Sequence, residues 1–209
     1  MSKLSSLPSL AKVSIFASLA LLLLYAFQWS IIDLVTPFLF APIDGLVWLI
    51  FAGISAWSIV HWIRNRRLRL SWLPFVICCL SFGLVMTLPF TNLWLQYDFT
   101  FKRNNRERIV QEVLAGKLAP LREFAGGTKV IALPQGAPQV SMGGNQILAE
   151  VHDGKTYVLF FTYRGILSSY AGFLYVPTAG DPAAFSDLNE RSRTQIEKYS
   201  DHWFFASHR

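Results

Sequence analysis

The chain has 209 residues, 53% hydrophobic and 15% charged, with a formal net charge of +6, against about 25% charged in typical soluble domains. The charges are segregated: Val13 to Ile63 holds only Asp33 and Asp44, and Trp72 to Tyr97 holds none. With only two cysteines besides, this excludes a soluble globular protein, a disordered chain and a disulfide scaffold.

Residues 1–97 carry a net +4 and residues 98–209 only +2. Most of the excess therefore flanks apolar segments, where it orients helices in a bilayer. No nucleic-acid partner is expected, and the lipid bilayer is the first expected partner.

A spanning helix needs about 20 apolar residues. Three stretches meet this, predicting transmembrane helices over about 13–32, 46–63 and 73–95 within an anchor of residues 1–97. Trp29, Trp62, Trp72 and Trp94 near their ends suit an aromatic belt. Lys3, Lys12, Ala17, Ser18 and Ala20 resemble parts of a signal peptide. The apolar run continues to Ile32, past the usual 7–15-residue core of such a signal, so an uncleaved anchor is expected.

Arg64, Arg66, Arg67 and Arg69 lie in the second connection and determine the topology. They place that connection and the N-terminus in the cytoplasm and residues 98–209 outside. Lys102, Arg103, Arg106 and Arg108 oppose this order, but a folded domain translocates despite its charge. The segment Asp33–Gly45 is apolar for a loop and is expected along the outer interface or under the outer domain. Pro42 and Asp44 there are expected to open the second helix, with Asp44 at its N-cap.

Candidate helix-packing positions are Ala52 and Ala56 in the second helix and Cys79, Gly83 and Thr87 in the third, small residues four apart. They would join the three helices to one another or to a partner. Cys78 and Cys79, as sequence neighbours on a helix, should point in different directions and not pair. No mid-membrane charge and no inverted repeat suggests transport. With neither a cysteine nor an Asn-x-Ser/Thr sequon in residues 98–209, the pattern fits a bacterial inner-membrane protein with a periplasmic domain.

Residues 98–209 read as a small extracytoplasmic α+β domain with an antiparallel sheet of five or six strands. A helical stalk is expected over 103–118, with Ile109, Val110, Val113 and Leu114 on one stripe and Gly116 and Pro120 at its end. After Gly126-Gly127, strands are expected at Lys129–Leu133, Gln146–His152 and Lys155–Arg164, then Ala171–Val176, Thr194–Tyr199 and His202–Ala206. Asp153-Gly154 marks a two-residue hairpin. It sets Val151 opposite Thr156, Ala149 opposite Val158 and Ile147 opposite Phe160, on a core face. Glu150, Tyr157, Leu148, Leu159, Phe161 and Tyr163 lie on the other, also largely covered. Asp181-Pro182 is the N-cap and first residue of a short helix through Phe185 and Leu188.

Catalytic, cofactor and metal residues are not expected. Ser168 or Ser169 with His152 and Asp153 or Asp181 lacks a nucleophile-elbow motif, and His202, His208 and Asp201 lack helical ligand spacing. Tyr163, Arg164, Tyr170 and Tyr175 are the candidate protein interface, since tyrosine and arginine anchor such surfaces. Their alternative is ordinary packing in a small β domain.

The leading expectation is a non-enzymatic accessory or scaffold subunit that binds a membrane or periplasmic protein partner. An immunity protein against an envelope-acting toxin and an envelope hydrolase are the alternatives.

Overall fold

The computed structural model describes residues 8–124, 127–165, 169–185 and 194–208. Lys3, Gly126, Ser168 and Leu188 lie outside the described residues. The chain divides into two compact units, Met1–Trp94 and Leu95–Arg209.

In the first unit, helix α1 spans Ser9–Ala26, α2 Gln28–Arg64 and α3 Leu73–Thr87, and α4 (Phe90–Leu114) begins there. Two helices, α1 and α2, are long and apolar enough to cross a membrane; the bent pair α3 and α4 makes a third if counted as one span. The expected boundaries shift for local reasons. The first helix breaks at Phe27, next to Gln28, whose amide donates to the Thr91 hydroxyl at 3.1 Å. Trp29 beside it packs on Trp94. The expected third helix ends at Thr87 because Leu88 precedes Pro89, and a proline disfavours helical geometry in the residue before it.

The same rule relocates the start of the second helix. Thr36 leaves helical geometry (φ 72°, ψ 153°) just before Pro37, so α2 is kinked there. Pro37 then supplies a first-turn proline. The segment expected as a loop at residues 33–45 is thus largely helical, and Asp44 lies inside α2 and not at its N-cap.

Helix α1 packs against both α2 and α3 through a narrow face bearing Ala11, Ser14, Ser18, Leu21 and Leu24. Ser14 and Ser58 bring their hydroxyls within 3.3 Å in this interior. Ser58 and Ser81 also donate to the carbonyl four residues earlier, which satisfies them without water. Leu21, Phe51, Cys78 and Val85 form the apolar cluster beside Tyr25 and Trp48. The Trp48 indole donates to the Tyr25 hydroxyl at 3.0 Å. Cys78 is buried and Cys79 exposed, so the two point in different directions as expected.

Among the described residues, the second unit holds a seven-stranded antiparallel sheet with the greater part of α4. Its strands are β1 (Arg122–Glu123), β2 (Lys129–Ala132), β3 (Gln146–His152), β4 (Lys155–Arg164), β5 (Tyr170–Tyr175), β6 (Thr194–Ser200) and β7 (Trp203–His208). Their order is β1-β2-β3-β4-β5-β7-β6. Strand β1, only two residues long, is the one strand without a sequence expectation. The expected stalk at 103–118 is part of α4, which starts at Phe90 and ends at Leu114 before Gly116 (φ 66°).

The β3–β4 register is the expected one, with Ile147 opposite Phe160, Ala149 opposite Val158 and Val151 opposite Thr156. Asp153 (φ 49°) and Gly154 (φ 72°) both take the left-handed backbone of a type I′ turn. Gly154→Ala should therefore destabilise the sheet by about 1 kcal/mol, as should any side chain in that region, measurable as a lower chemical-denaturation midpoint. Val151 corrects the expected core face: at 60% exposure it lies beyond the covered part of the sheet, close to the turn.

Both faces of the central strands are covered. On one, Ile147, Val158, Phe160, Phe173 and Trp203 are buried, with Phe99 of α4 against Phe173 and Trp203. On the other, Leu148, Tyr157, Leu159, Phe161, Leu174 and Ala206 pack with Val176 and Phe185. Phe185 follows a 3₁₀ turn, Pro182–Ala184, and the rest of the expected helix, to Leu188, lies outside the described residues. Asp181 caps that turn by accepting from the Ala183 amide at 2.9 Å. Ile196 lies in β6, Thr194–Ser200, as the expected strand Thr194–Tyr199 requires.

Candidate functional site

The four proposed interface residues do not form one surface. The pairing between β4 and β5 shifts between Phe161 and Tyr163, a bulge that sets Tyr163 opposite Ala171 and Arg164 opposite Tyr170. One extra residue reverses every side chain beyond it. Tyr163 consequently joins the face of Phe160 and Phe173, a correction to its expected place beside Leu159 and Phe161. Tyr175 shares the Tyr163 face but pairs with Val158, at the far end of β5.

Arg164 and Tyr170 are the two that come together, on the opposite face. Arg164 lies over the Phe161 ring at 4.6 Å and donates to the Gln146 side chain at 3.1 Å. Its stem packs on Gly143, where a Cβ would stand 2.5 Å from Arg164 Cδ and where φ is 71°. Tyr170 meets Phe161 edge-on at 5.9 Å and stacks on His208 at 5.7 Å. Tyr175 is held between His202 and Trp203.

Of the residues weighed for a hydrolase, Ser169 and His152 are not brought together. His152 precedes β4 and Ser169 follows it, and ten residues of strand separate two such positions by about 30 Å. Ser168 lies outside the described residues. His152 and Asp153 are within 3.4 Å of each other in the hairpin, both exposed. His202 and His208 stand at opposite ends of β7. Among the described residues no three His, Cys, Asp or Glu side chains are grouped as metal ligands would be.

The helix-packing candidates also have definite places. Ala52, Ala56, Cys79 and Thr87 are exposed, and a Cβ on Gly83 would meet nothing within 4 Å. They do not join α1, α2 and α3 to one another. That seam includes Ala11, Ser14, Ser18, Ser58 and Ser81, buried small residues. Arg64, Arg66, Arg67 and Arg69 are all exposed around the α2–α3 connection.

The most unusual chemistry of the second unit lies on α4, at residues outside every candidate site expected from the sequence. Asp98 and Arg106 of α4 are 3% and 1% exposed and form an ion pair at 2.5 Å. Lys102 reaches the other Asp98 oxygen at 2.7 Å. Arg106 also donates to the Val140 carbonyl at 3.1 Å and lies over the Phe173 ring at 4.8 Å. Its guanidinium thus has a carboxylate, a carbonyl and an aromatic face, the partners a buried cation needs. The signal was available. Leu95, Asp98, Lys102, Arg106 and Ile109 recur at three- and four-residue intervals, which places the charges on the buried stripe.

Tyr199 of β6 stands beside this cluster through Phe99 and Phe173. Its hydroxyl is buried without a hydrogen-bond partner among the described residues. Burial raises its pKa above the ordinary 10.0, with Glu197 and Asp98 adding to the rise. Tyr157 is also shifted upward by burial, against a backbone hydrogen bond at Asp181 that lowers it. Folded-state pKa values above the unfolded one mean a stability contribution intact below pH 10 and lost as pH rises through the raised values. An alkaline titration at 295 nm should show a class of tyrosines ionising late, with unfolding. Tyr199→Phe and Tyr157→Phe should shrink that class.

No protein-family model, curated protein or solved structure matches this chain.

Proposed function

We propose that the protein is a non-enzymatic accessory or scaffold subunit of a membrane complex, anchored by its apolar helices, with the β domain held outside a bacterial inner membrane. The supporting observation is the outward position of Cys79, Gly83 and Thr87 on α3. Small side chains let helix backbones approach closely in lipid, and these pack no helix of this unit. The Arg164–Tyr170 pair supplies a second, weaker contact on the β domain.

Purification of the full chain in mild detergent, followed by mass spectrometry, should recover a partner in fixed ratio. Gly83→Leu should lower that recovery by about tenfold, since an added side chain holds the helices apart. A strictly lone particle, or a partner retained in full by Gly83→Leu, would overturn the reading.

The orientation rests on Arg64, Arg66, Arg67 and Arg69, which favour the cytoplasmic side. An alkaline phosphatase fused after residue 209 should be active; an inactive fusion with an active cytoplasmic reporter would reverse the topology.

A further inference from the structure

Helix α2 carries a groove of about 680 Å³ that no described side chain fills. Gly53, Ala56, Trp57 and Val60 line its apolar length, and His61, Arg64 and Asn65 line its polar end. These positions recur at three- and four-residue spacing and so share one face of the helix. The run from Gly53 to Arg64 is about 16 Å at 1.5 Å per residue. One leaflet of a bilayer contributes about half of its ~30 Å hydrocarbon core. On the reading that α2 crosses a membrane, the groove is one leaflet deep with its polar end at the lipid–water boundary.

The polar end is built for an anion. The Asn65 side-chain amide lies 3.2 Å from His61 Nδ1 and donates to the His61 carbonyl at 3.0 Å. The imidazole can present a ring N–H to an anion, and Asn65 holds the ring at the groove's polar end. Arg64 adds a guanidinium, and Arg66, Arg67 and Arg69 follow directly. None of these four arginines has a carboxylate partner among the described residues. Four uncompensated cations beside an apolar slot complement a ligand with a phosphate head and a hydrocarbon chain.

We propose that this groove binds one anionic phospholipid, its acyl chain along Gly53, Ala56 and Val60 beside Trp57 and its phosphate at Arg64 and the His61 ring. The site lies on a different helix from the Gly83 stripe of α3, so partner loss and lipid loss are separable results.

The test is native mass spectrometry of the full chain in detergent with equimolar phosphatidylglycerol and phosphatidylcholine. Phosphatidylglycerol should be retained at least about fivefold over phosphatidylcholine, the factor one juxtamembrane cation supplies. The double variant Arg64→Gln/His61→Gln should remove that preference. Gly53→Leu should reduce retention of both lipids about fivefold with unchanged helix content by circular dichroism. A Cβ at Gly53 meets nothing within 4 Å, so the larger side chain enters the groove without straining the helices. Equal retention of the two lipids would overturn the proposal. So would a preference lost in Arg66→Gln/Arg67→Gln but kept in Arg64→Gln/His61→Gln, which marks a diffuse charge. Efficient disulfide crosslinking of two copies through Ala56→Cys would overturn it too, by assigning the groove to a second protein chain.

Discussion

Arg106→Ala should destabilise the β domain by about 3–5 kcal/mol, the cost of leaving a buried carboxylate without its partner. Asp98 is 3% exposed and would keep only Lys102, which is itself 20% exposed. The loss also removes the hydrogen bond to Val140 and the contact with the Phe173 ring. Asp98→Ala should cost a similar amount by stranding the guanidinium. Lys102→Ala should cost no more than about 1 kcal/mol, because its charge is better solvated. The double variant Asp98→Leu/Arg106→Met removes both charges and should recover most of the loss. Chemical denaturation of the full chain in detergent, followed by near-ultraviolet circular dichroism, separates these values. An Arg106→Ala protein within about 1 kcal/mol of the parent would show that the pair stabilises nothing.

Trp203→Ala should cost a comparable 3–5 kcal/mol by a different mechanism, an apolar cavity. Trp203 is 1% exposed, and its ring meets Phe99 of α4, Phe160 of β4 and Tyr175 of β5. Those neighbours come from three elements fixed by their own pairing, so the space cannot collapse around a methyl group. Trp203→Phe retains most of the volume and should cost less than half as much. Equal losses for Ala and Phe would point to the indole nitrogen and away from packing.

Where local chemistry decides the conformation, the sequence was a reliable guide. Asp153-Gly154 dictates a turn whose two left-handed residues set the register of β3 on β4. Asp181-Pro182 marks a cap that forms. Leu88-Pro89 and Thr36-Pro37 obey an equally local rule, yet the continuous hydrophobicity around them masked the breaks, because composition reports solvent and says little about helix continuity. Tyr163 was misplaced because a bulge depends on pairing with a distant strand. Charge alone would put Asp98 and Arg106 at the surface, and only their three- and four-residue spacing to Leu95 and Ile109 marks them as buried. Tyr163, Arg164, Tyr170 and Tyr175 divide between two faces because nearness in sequence at a strand end does not decide which face a side chain takes.

The sheet order has a consequence for synthesis. Strands β1 to β5 pair in the order in which they emerge, but β5 obtains its second neighbour only from β7, with β6 left outside. Until residues 203–208 have left the ribosome or the translocation channel, the apolar strand Tyr170–Tyr175 presents an unpaired edge, a template for wrong pairing. Vectorial folding therefore has a waiting interval of about 30 residues, during which chaperone capture of this segment should be strongest.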